Sequence, residues 1–345
     1  MSLTVPAFPF LAQARLQGAT DLTVSAGRPA RARVAQGFFT LPAVDGAEFA
    51  RFSSQFGREL HPLDVGSFTH EGQRHRYLYY HSESGPTFEL RHLPQAVPSL
   101  EALGVPPAFH HLIRAPRGLV IVTGATGSGK TTTLAAALDR LNETGDDLKI
   151  LTLEDPIEYL HPEKKAVIRQ CEYRRDFPDF PSAIRALMRQ DPDVALIGEL
   201  RDPESVSAAL SAAETGHLVF TTLHTKDAAG SVSRILDAAP GADALAMLAG
   251  SLVGVLAQQL VPALDGGRLP VFELLVSTTA VRTCIREKRI DHLRDEIRRG
   301  QGHGMVTMDD SLLVLYRRHR ISEATLFDYA HDREDVQKKL SLPCP

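Results

Sequence analysis

Gly124-Ala125-Thr126-Gly127-Ser128-Gly129-Lys130-Thr131 fits the pattern G-x-x-x-x-G-K-[ST], directly after the apolar run GLVIVTG (118–124) and ahead of a segment rich in alanine and leucine. Strand, glycine loop and helix in that order are what phosphate binding requires. Glycines reach backbone conformations that turn successive N–H groups toward one anion, and the helix that follows adds the positive end of its dipole. Lys130 can then reach the β- and γ-phosphates of ATP, and the Thr131 hydroxyl can ligate Mg²⁺. Ser128 and Thr132 are expected to shape and cap the helix start.

Hydrolysis needs more than binding: a group that orients water, carboxylates around Mg²⁺, and something that senses the γ-phosphate. Three later segments supply candidates. They are Glu154-Asp155-Pro156-Ile157-Glu158, Gly198-Glu199-Leu200-Arg201-Asp202, and Thr215-Gly216-His217 with Thr222-Leu223-His224-Thr225. Each is expected at or just beyond the C-terminal end of a strand, where ligands of open α/β sheets collect. Taken singly, each also has an ordinary explanation, such as a carboxylate paired with a neighbour like Arg201. Their order behind a phosphate loop gives them weight together.

The elements that must hold these residues can be read from the pattern. After residue 116, GLVIVTG (118–124), LKILTLE (148–154), DVALIGE (193–199) and HLVFTTLH (217–224) are almost continuously apolar. Strands covered by helices on both faces look like this, so a parallel sheet with crossover helices is expected. LAAALDRL (134–141), AIRALM (183–188) and PESVSAALSAAE (203–214) read as helices, and the chain from about 226 onward as mainly helical. Residues 1–94 instead alternate in short runs, DLTVSA (21–26), ARARVA (30–35), HRYLYY (75–80) and TFELRHL (87–93), which predicts a smaller α+β domain with an antiparallel sheet. Ser84-Gly85-Pro86 supplies a hairpin turn. Five prolines between Pro94 and Pro116 place a linker at 95–116, and the nucleotide domain at 117–345.

Composition narrows the class. The 345 residues carry a net charge of −4 and 43% hydrophobic side chains, enough for a sizeable core. No run of like charges points to nucleic acid. No apolar stretch is long enough for a membrane span, and the start MSLTVPAFPF has no basic region ahead of a signal core, so a cytoplasmic location is expected. Cys171, Cys284 and Cys344 stand too far apart for a zinc site or a disulfide framework.

The four chemical segments resemble the Walker A, Asp box, Walker B and His box of the secretion ATPases of type II secretion and type IV pili. Within that group the chain is similar to the PilT family of pilus retraction ATPases. It is short and lacks the paired cysteines that many assembly and secretion ATPases insert for zinc. Ala280-Val281-Arg282-Thr283-Cys284-Ile285-Arg286-Glu287 resembles the family motif AIRNLIRE, agreeing at Ala280, Arg282, Ile285, Arg286 and Glu287. Met305–Leu312 and Asp21–Pro29 also look like segments of that family, so the agreement runs from about residue 18 to residue 340.

The resemblance implies a PAS-like N-terminal domain, a RecA-like ATPase domain and a ring-shaped homo-hexamer that hydrolyses ATP with Mg²⁺. Its implied partners are an inner-membrane pilus platform protein and the pilus assembly ATPase. By the family pattern Glu199 is the catalytic glutamate and with Glu154 approaches Mg²⁺, directly or through water. Asp155 and Glu158 help arrange metal and water, His217 and His224 couple nucleotide state to conformation, and Arg76 and Arg91 reach the γ-phosphate. Departures are a lost Asn and Leu in the C-terminal motif, and His81 and Glu83 where the family has basic or polar residues. Two other classes share the fold: a nucleic-acid translocase, disfavoured by the acidic balance, and a non-hydrolysing ATP-binding paralogue, disfavoured by Glu199.

Overall fold

Alternation in the first hundred residues produces a sheet with one apolar and one polar face, whereas the uninterrupted apolar runs further on produce a sheet buried on both. The computed structural model describes residues 8–34, 37–57, 59–145 and 147–341. It divides into a first unit, Met1–Ala96 with Asp155–Leu160, and a second, Val97–Glu154 with His161–Pro345.

The first unit is built on strands β1 (Asp21–Ser25), β2 (Arg28–Val34), β3 (Gly37–Val44), β4 (Asp64–His70), β5 (Gln73–Ser82) and β6 (Gly85–His92). They form an antiparallel sheet in the order β3-β2-β1-β6-β5-β4. β3 and β4 were not legible as alternating runs. Ser82 pairs with Gly85 across the β5–β6 turn, where Gly85 takes φ +91°. Leu22, Val24, Tyr77, Tyr79, Phe88 and Leu90 are buried on one face. Helices Pro9–Leu16 and Gly46–Ser54 bring Phe10, Leu11, Phe49 and Phe52 into the same core cluster. The second helix starts at Asp45, whose carboxylate accepts from the Glu48 amide at 2.8 Å.

The opposite face carries arginines. Arg76 lies directly across from Arg91, Arg91 across from Asp21, and Asp21 across from Arg33, with Arg31 and Arg74 two residues along their own strands. Side chains of directly paired residues share a face, so all five arginines point the same way. Arg74 is buried there: its Nε donates to the Ile157 carbonyl at 2.9 Å and a terminal nitrogen to Ser67 Oγ at 2.6 Å.

The second unit contains strands β7 (Gly118–Thr123), β8 (Lys149–Glu154), β9 (Val167–Glu172), β10 (Val194–Ile197), β11 (Leu218–Leu223), β12 (Leu252–Pro262) and β13 (Arg268–Val276). Their order is β13-β12-β7-β11-β10-β8-β9, all parallel except β13 against β12. Leu119 and Ile121 of β7 face one core with the helices Phe180–Met188 and Pro203–Glu214, while Val120 and Val122 face another with Lys130–Thr144. Two-sided burial is why these strands read as unbroken apolar runs.

Two expectations are corrected. The region after residue 226 is mainly helical, beginning with Ala228–Ala238 and Ala242–Ser251, but it is interrupted by β12 and β13 at Leu252–Pro262 and Arg268–Val276. β12 follows the helix Ala242–Ser251 with no Gly or Pro between them, so periodicity gave no boundary. Nor is 97–116 a free linker: Leu100, Val105, Phe109, Leu112 and Ile113 are buried in the second unit's core. Its prolines punctuate two short helices, Leu100–Leu103 and Phe109–Leu112. Cys284 is buried and Cys171 half-buried, both as free thiols; Cys344 lies outside the described residues.

One corner of the first unit collects three histidines. His75 faces His92 across β5 and β6 with ring centroids 4.7 Å apart, and it stacks on Phe68 at 4.8 Å. His70 lies beside them on β4 and packs on Phe8. Burial, then His92, His70 and Arg15, push His75 down to about 3, and burial also lowers His70 and His92. A histidine that is neutral when folded takes up its proton on unfolding, so the protein should lose stability as pH falls from about 6.5 to about 3. His75→Phe should flatten this acid limb, read as urea midpoints between about pH 7 and about pH 5; an equally steep limb in the variant would show that His75 does not carry it.

Candidate active site

β7 ends at Thr123, and the chain then turns through the glycine loop into the helix Lys130–Thr144. Gly124 adopts φ +144°, and a Cβ there would stand 2.2 Å from the Gln258 carbonyl oxygen, so no side chain fits. Gly129 is the N-cap in a left-handed conformation at φ +90°. No side chain caps this helix, which leaves its first-turn amides to bind an anion. This corrects the expected cap: Ser128 precedes the N-cap, and its buried hydroxyl has no hydrogen-bond partner among the described residues. Ala125, Thr126 and Gly127 form the exposed crest, while Thr131 and Thr132 lie half-buried in the first helical turn. The glycine-only contact at Gly124 and the uncapped helix fit a polyphosphate.

The Lys130 ammonium donates to the carbonyls of Gly124 at 2.8 Å and Ala125 at 3.1 Å, and lies 3.4 Å from His224 Nδ1. His224 follows β11, the strand beside β7, and its Nε2 is 3.7 Å from Glu199 Oε2. Lysine only donates and an ionised carboxylate only accepts, so the neutral Nε2–H tautomer satisfies both neighbours. Partial loss of hydration, and then the Lys130 ammonium, hold His224 below its ordinary pKa and favour that neutral form. Glu199 follows β10, one strand further out, and is also ion-paired with Arg201. The Thr222 hydroxyl donates to the Gly198 carbonyl at 2.5 Å and ties the Glu199 turn to β11. Lys130, the neutral His224, Glu199 and Arg201 thus form a continuous polar line along the C-terminal edge of the sheet.

Glu154 ends β8, one strand beyond β10. It is buried, and its Oε1 accepts from Thr152 Oγ1 at 2.6 Å and Gln170 Nε2 at 3.0 Å. Asp155 and Glu158, both half-buried, fall in the first unit, as do Arg76 and Arg91. Arg91 is largely exposed and pairs with Asp21 at 2.7 Å.

His217 is not brought to this site. It precedes β11, its carbonyl accepts from the Gly118 amide at 2.9 Å at the start of β7, and its Nδ1 lies 3.0 Å from the Ala212 carbonyl. Strands of this length separate it from His224 by about 20 Å. Motif proximity in sequence concealed this, because the two histidines flank one strand and so sit at opposite ends of it. Conversely, Gln258 was missed: its Nε2 donates to the Ser128 carbonyl at 2.6 Å. The available signal was an amide inside the apolar run 252–261, where a buried polar side chain requires a partner.

The model of the type II/IV secretion system protein family matches residues 81–313, which include the phosphate loop and every carboxylate and histidine of the site. The chain belongs to this family. A type IV pilus retraction ATPase, PilT, of Pseudomonas aeruginosa is 37% identical over 346 residues, covering 96% of this chain and 97% of the relative. A twitching motility protein of Neisseria gonorrhoeae is 46% identical over 267 residues, covering 76% and 71%. The crystal structure of the pilus retraction motor PilT with bound ADP superposes with a TM-score of 0.85 at 33% identity, covering 95% of this chain and 98% of that one. An α/β unit preceded by an antiparallel domain is therefore the fold that this chain shares with that PilT structure.

Lys130→Ala removes the flexible cation of the loop and should weaken ATP and ADP binding by about 100-fold, as expected for loss of charged hydrogen bonds. Isothermal titration calorimetry checks this; wild-type affinity for both nucleotides would remove the phosphate site from this loop.

Proposed function

We propose that this chain is an ATP-hydrolysing motor that drives retraction of type IV pili, working as a homo-hexamer against an inner-membrane platform protein. The observation that carries the reading is the line Lys130–His224–Glu199 beside a glycine loop, in a chain alike over almost its whole length to a retraction ATPase. No helix among the described residues is long and apolar enough to cross a membrane.

In the reaction, water attacks the γ-phosphorus of ATP and yields ADP and phosphate. The loop amides and Lys130 hold the phosphates; to do so Lys130 exchanges the Gly124 and Ala125 carbonyls for phosphate oxygens. Thr131 would hold Mg²⁺, which neutralises charge on the β- and γ-oxygens when bound, with Glu154 and Glu199 approaching it directly or through water. Glu199 orients the water and takes its proton, and its ion pair with Arg201 holds the carboxylate group in place. His224, neutral between Lys130 and Glu199, registers whether the lysine has moved. Arg76 and Arg91, on one face of their sheet, are suited to offer cationic charge to a γ-phosphate as arginine fingers.

The C-terminal motif fits an output surface. In the helix Thr279–Arg286, Val281, Cys284 and Ile285 are buried while Arg282 and Arg286 are exposed. Cys284 occupies the place of the missing leucine and keeps that position apolar. The lost asparagine falls at the half-buried Thr283, whose hydroxyl accepts from Arg286 at 3.1 Å.

Glu199→Gln should retain ATP but lower turnover at least about 100-fold, the scale of general-base loss. Returned to a strain deleted for this gene, it should fail to restore pilus retraction; turnover within about threefold of wild type would move the base elsewhere. Arg76→Ala and Arg91→Ala should each lower turnover on the order of a thousandfold while leaving ADP affinity unchanged, since ADP has no γ-phosphate. Wild-type turnover in both would remove the first unit from the chemistry.

A further inference from the structure

The strand β12 meets the phosphate loop at one residue, and it does so twice. β7 and β12 pair in parallel as far as Ala257 opposite Thr123. At the next position β7 leaves the sheet as the loop, and Gln258 stands beside the gap. Its backbone carbonyl presses on Gly124 at the start of the loop, and its side-chain amide, on a residue 1% exposed, donates to the Ser128 carbonyl near the end. A Cβ on Gly129 would lie 3.1 Å from the same amide nitrogen, so the loop is clasped at both ends. The other side-chain atom, Gln258 Oε1, is buried and has no hydrogen-bond partner among the described residues. The amide is therefore held by the Ser128 carbonyl alone, at the cost of an unpaired acceptor, which points to a role other than stability.

That role follows from the planarity of the peptide bond. In a trans peptide the carbonyl and the following N–H point in opposite directions. Drawing the Ser128 carbonyl toward β12 therefore turns the Gly129 N–H away from β12, into the hollow of the loop. Gly129 is the left-handed N-cap, and its amide is one of those that a phosphate between the loop and the helix must meet. We propose that Gln258 is a positioning residue for nucleotide binding, which aims the Gly129 amide by holding the Ser128 carbonyl. It touches no phosphate, and it acts on phosphates common to ATP and ADP rather than on the γ-phosphate. The inference rests on the phosphate-site reading of the loop.

Two substitutions test it. Gln258→Leu keeps the bulk and removes the donor; the Kd of ATP and of ADP should rise by the same factor, about tenfold to hundredfold, with turnover at saturation within about threefold of wild type. Gln258→Glu keeps the shape but, when ionised, faces the Ser128 carbonyl with an acceptor. A buried carboxyl beside a carbonyl has a raised pKa, and once protonated it can again donate to Ser128. The ADP affinity of this variant, divided by that of wild type at each pH, should recover as pH falls from about 9 to about 6. The leucine variant, divided in the same way, should stay flat. A merely structural amide would give no such recovery, and the glutamate variant keeps the test open if the leucine variant does not fold. Unchanged ADP affinity in Gln258→Leu, or a flat ratio in Gln258→Glu, overturns the proposal. A fall in turnover with wild-type ADP affinity overturns it as well, because Gln258 would then act on the reaction. If Lys130→Ala also bound ADP normally, the loop itself would not be the phosphate site; if only Gln258 proved silent, the loop reading would stand.

Discussion

Several amide N–H groups can converge on one anion only if the chain bends the same way at successive residues, and L-residues with side chains resist that bend. Gly124, Gly127 and Gly129 all take positive φ here. The elements around it in the second unit hold that short stretch still. β7 delivers it from a fully buried strand, the helix Lys130–Thr144 receives it, and the neighbouring strands supply Gln258 on one side and His224 on the other. A parallel sheet suits the task because all its strands end on the same edge, so residues far apart in sequence arrive together.

The hydroxyl pattern underneath the site reinforces this. Thr123 Oγ1, at the end of β7, accepts from the Thr225 amide at 3.0 Å, and the two hydroxyls lie 2.7 Å apart. Thr225 in turn meets Ser231 Oγ at 2.6 Å, on the helix Ala228–Ala238. That helix is entered through Asp227, which pairs with Arg294, and its Ala228 amide donates at 2.9 Å to the buried Glu273 of β13. The loop bearing His224 is therefore fixed between the phosphate strand and the C-terminal helices. The first connection runs through short hydroxyl side chains and the second through the longer Arg294.

The sequence was legible where local chemistry decides the structure. A glycine pattern, a strand buried on both faces and an apolar stripe each have a cause within a dozen residues, so β7, β8, β10, β11 and the phosphate loop could be read directly. β12 and β13 could not, because β12 follows the preceding helix without a break and its apolar run suits a buried helix as well as a strand. Alternation likewise gave β5 and β6, but whether Arg76 and Arg91 share a face is a property of register, which only the pairing of the strands settles. His217 shows the converse error. Two histidines seven residues apart looked like one box, yet an extended strand between them carries them to opposite edges. Gln258 was hidden for another reason: its partner lies 130 residues away and is a carbonyl, which every residue has.

The first unit is assembled from two stretches of chain, with Asp155–Leu160 returning to it after β8, and the buried Arg74 holds the Ile157 carbonyl of that return. Such a unit is not a cassette. A gene fusion or recombination that joins residues 1–96 to a foreign ATPase transfers an incomplete body and deprives the buried Arg74 of its Ile157 acceptor. The two parts of this chain must therefore be inherited and exchanged together, and drift in the six-residue return is constrained by a fold to which, on a linear map, it does not belong.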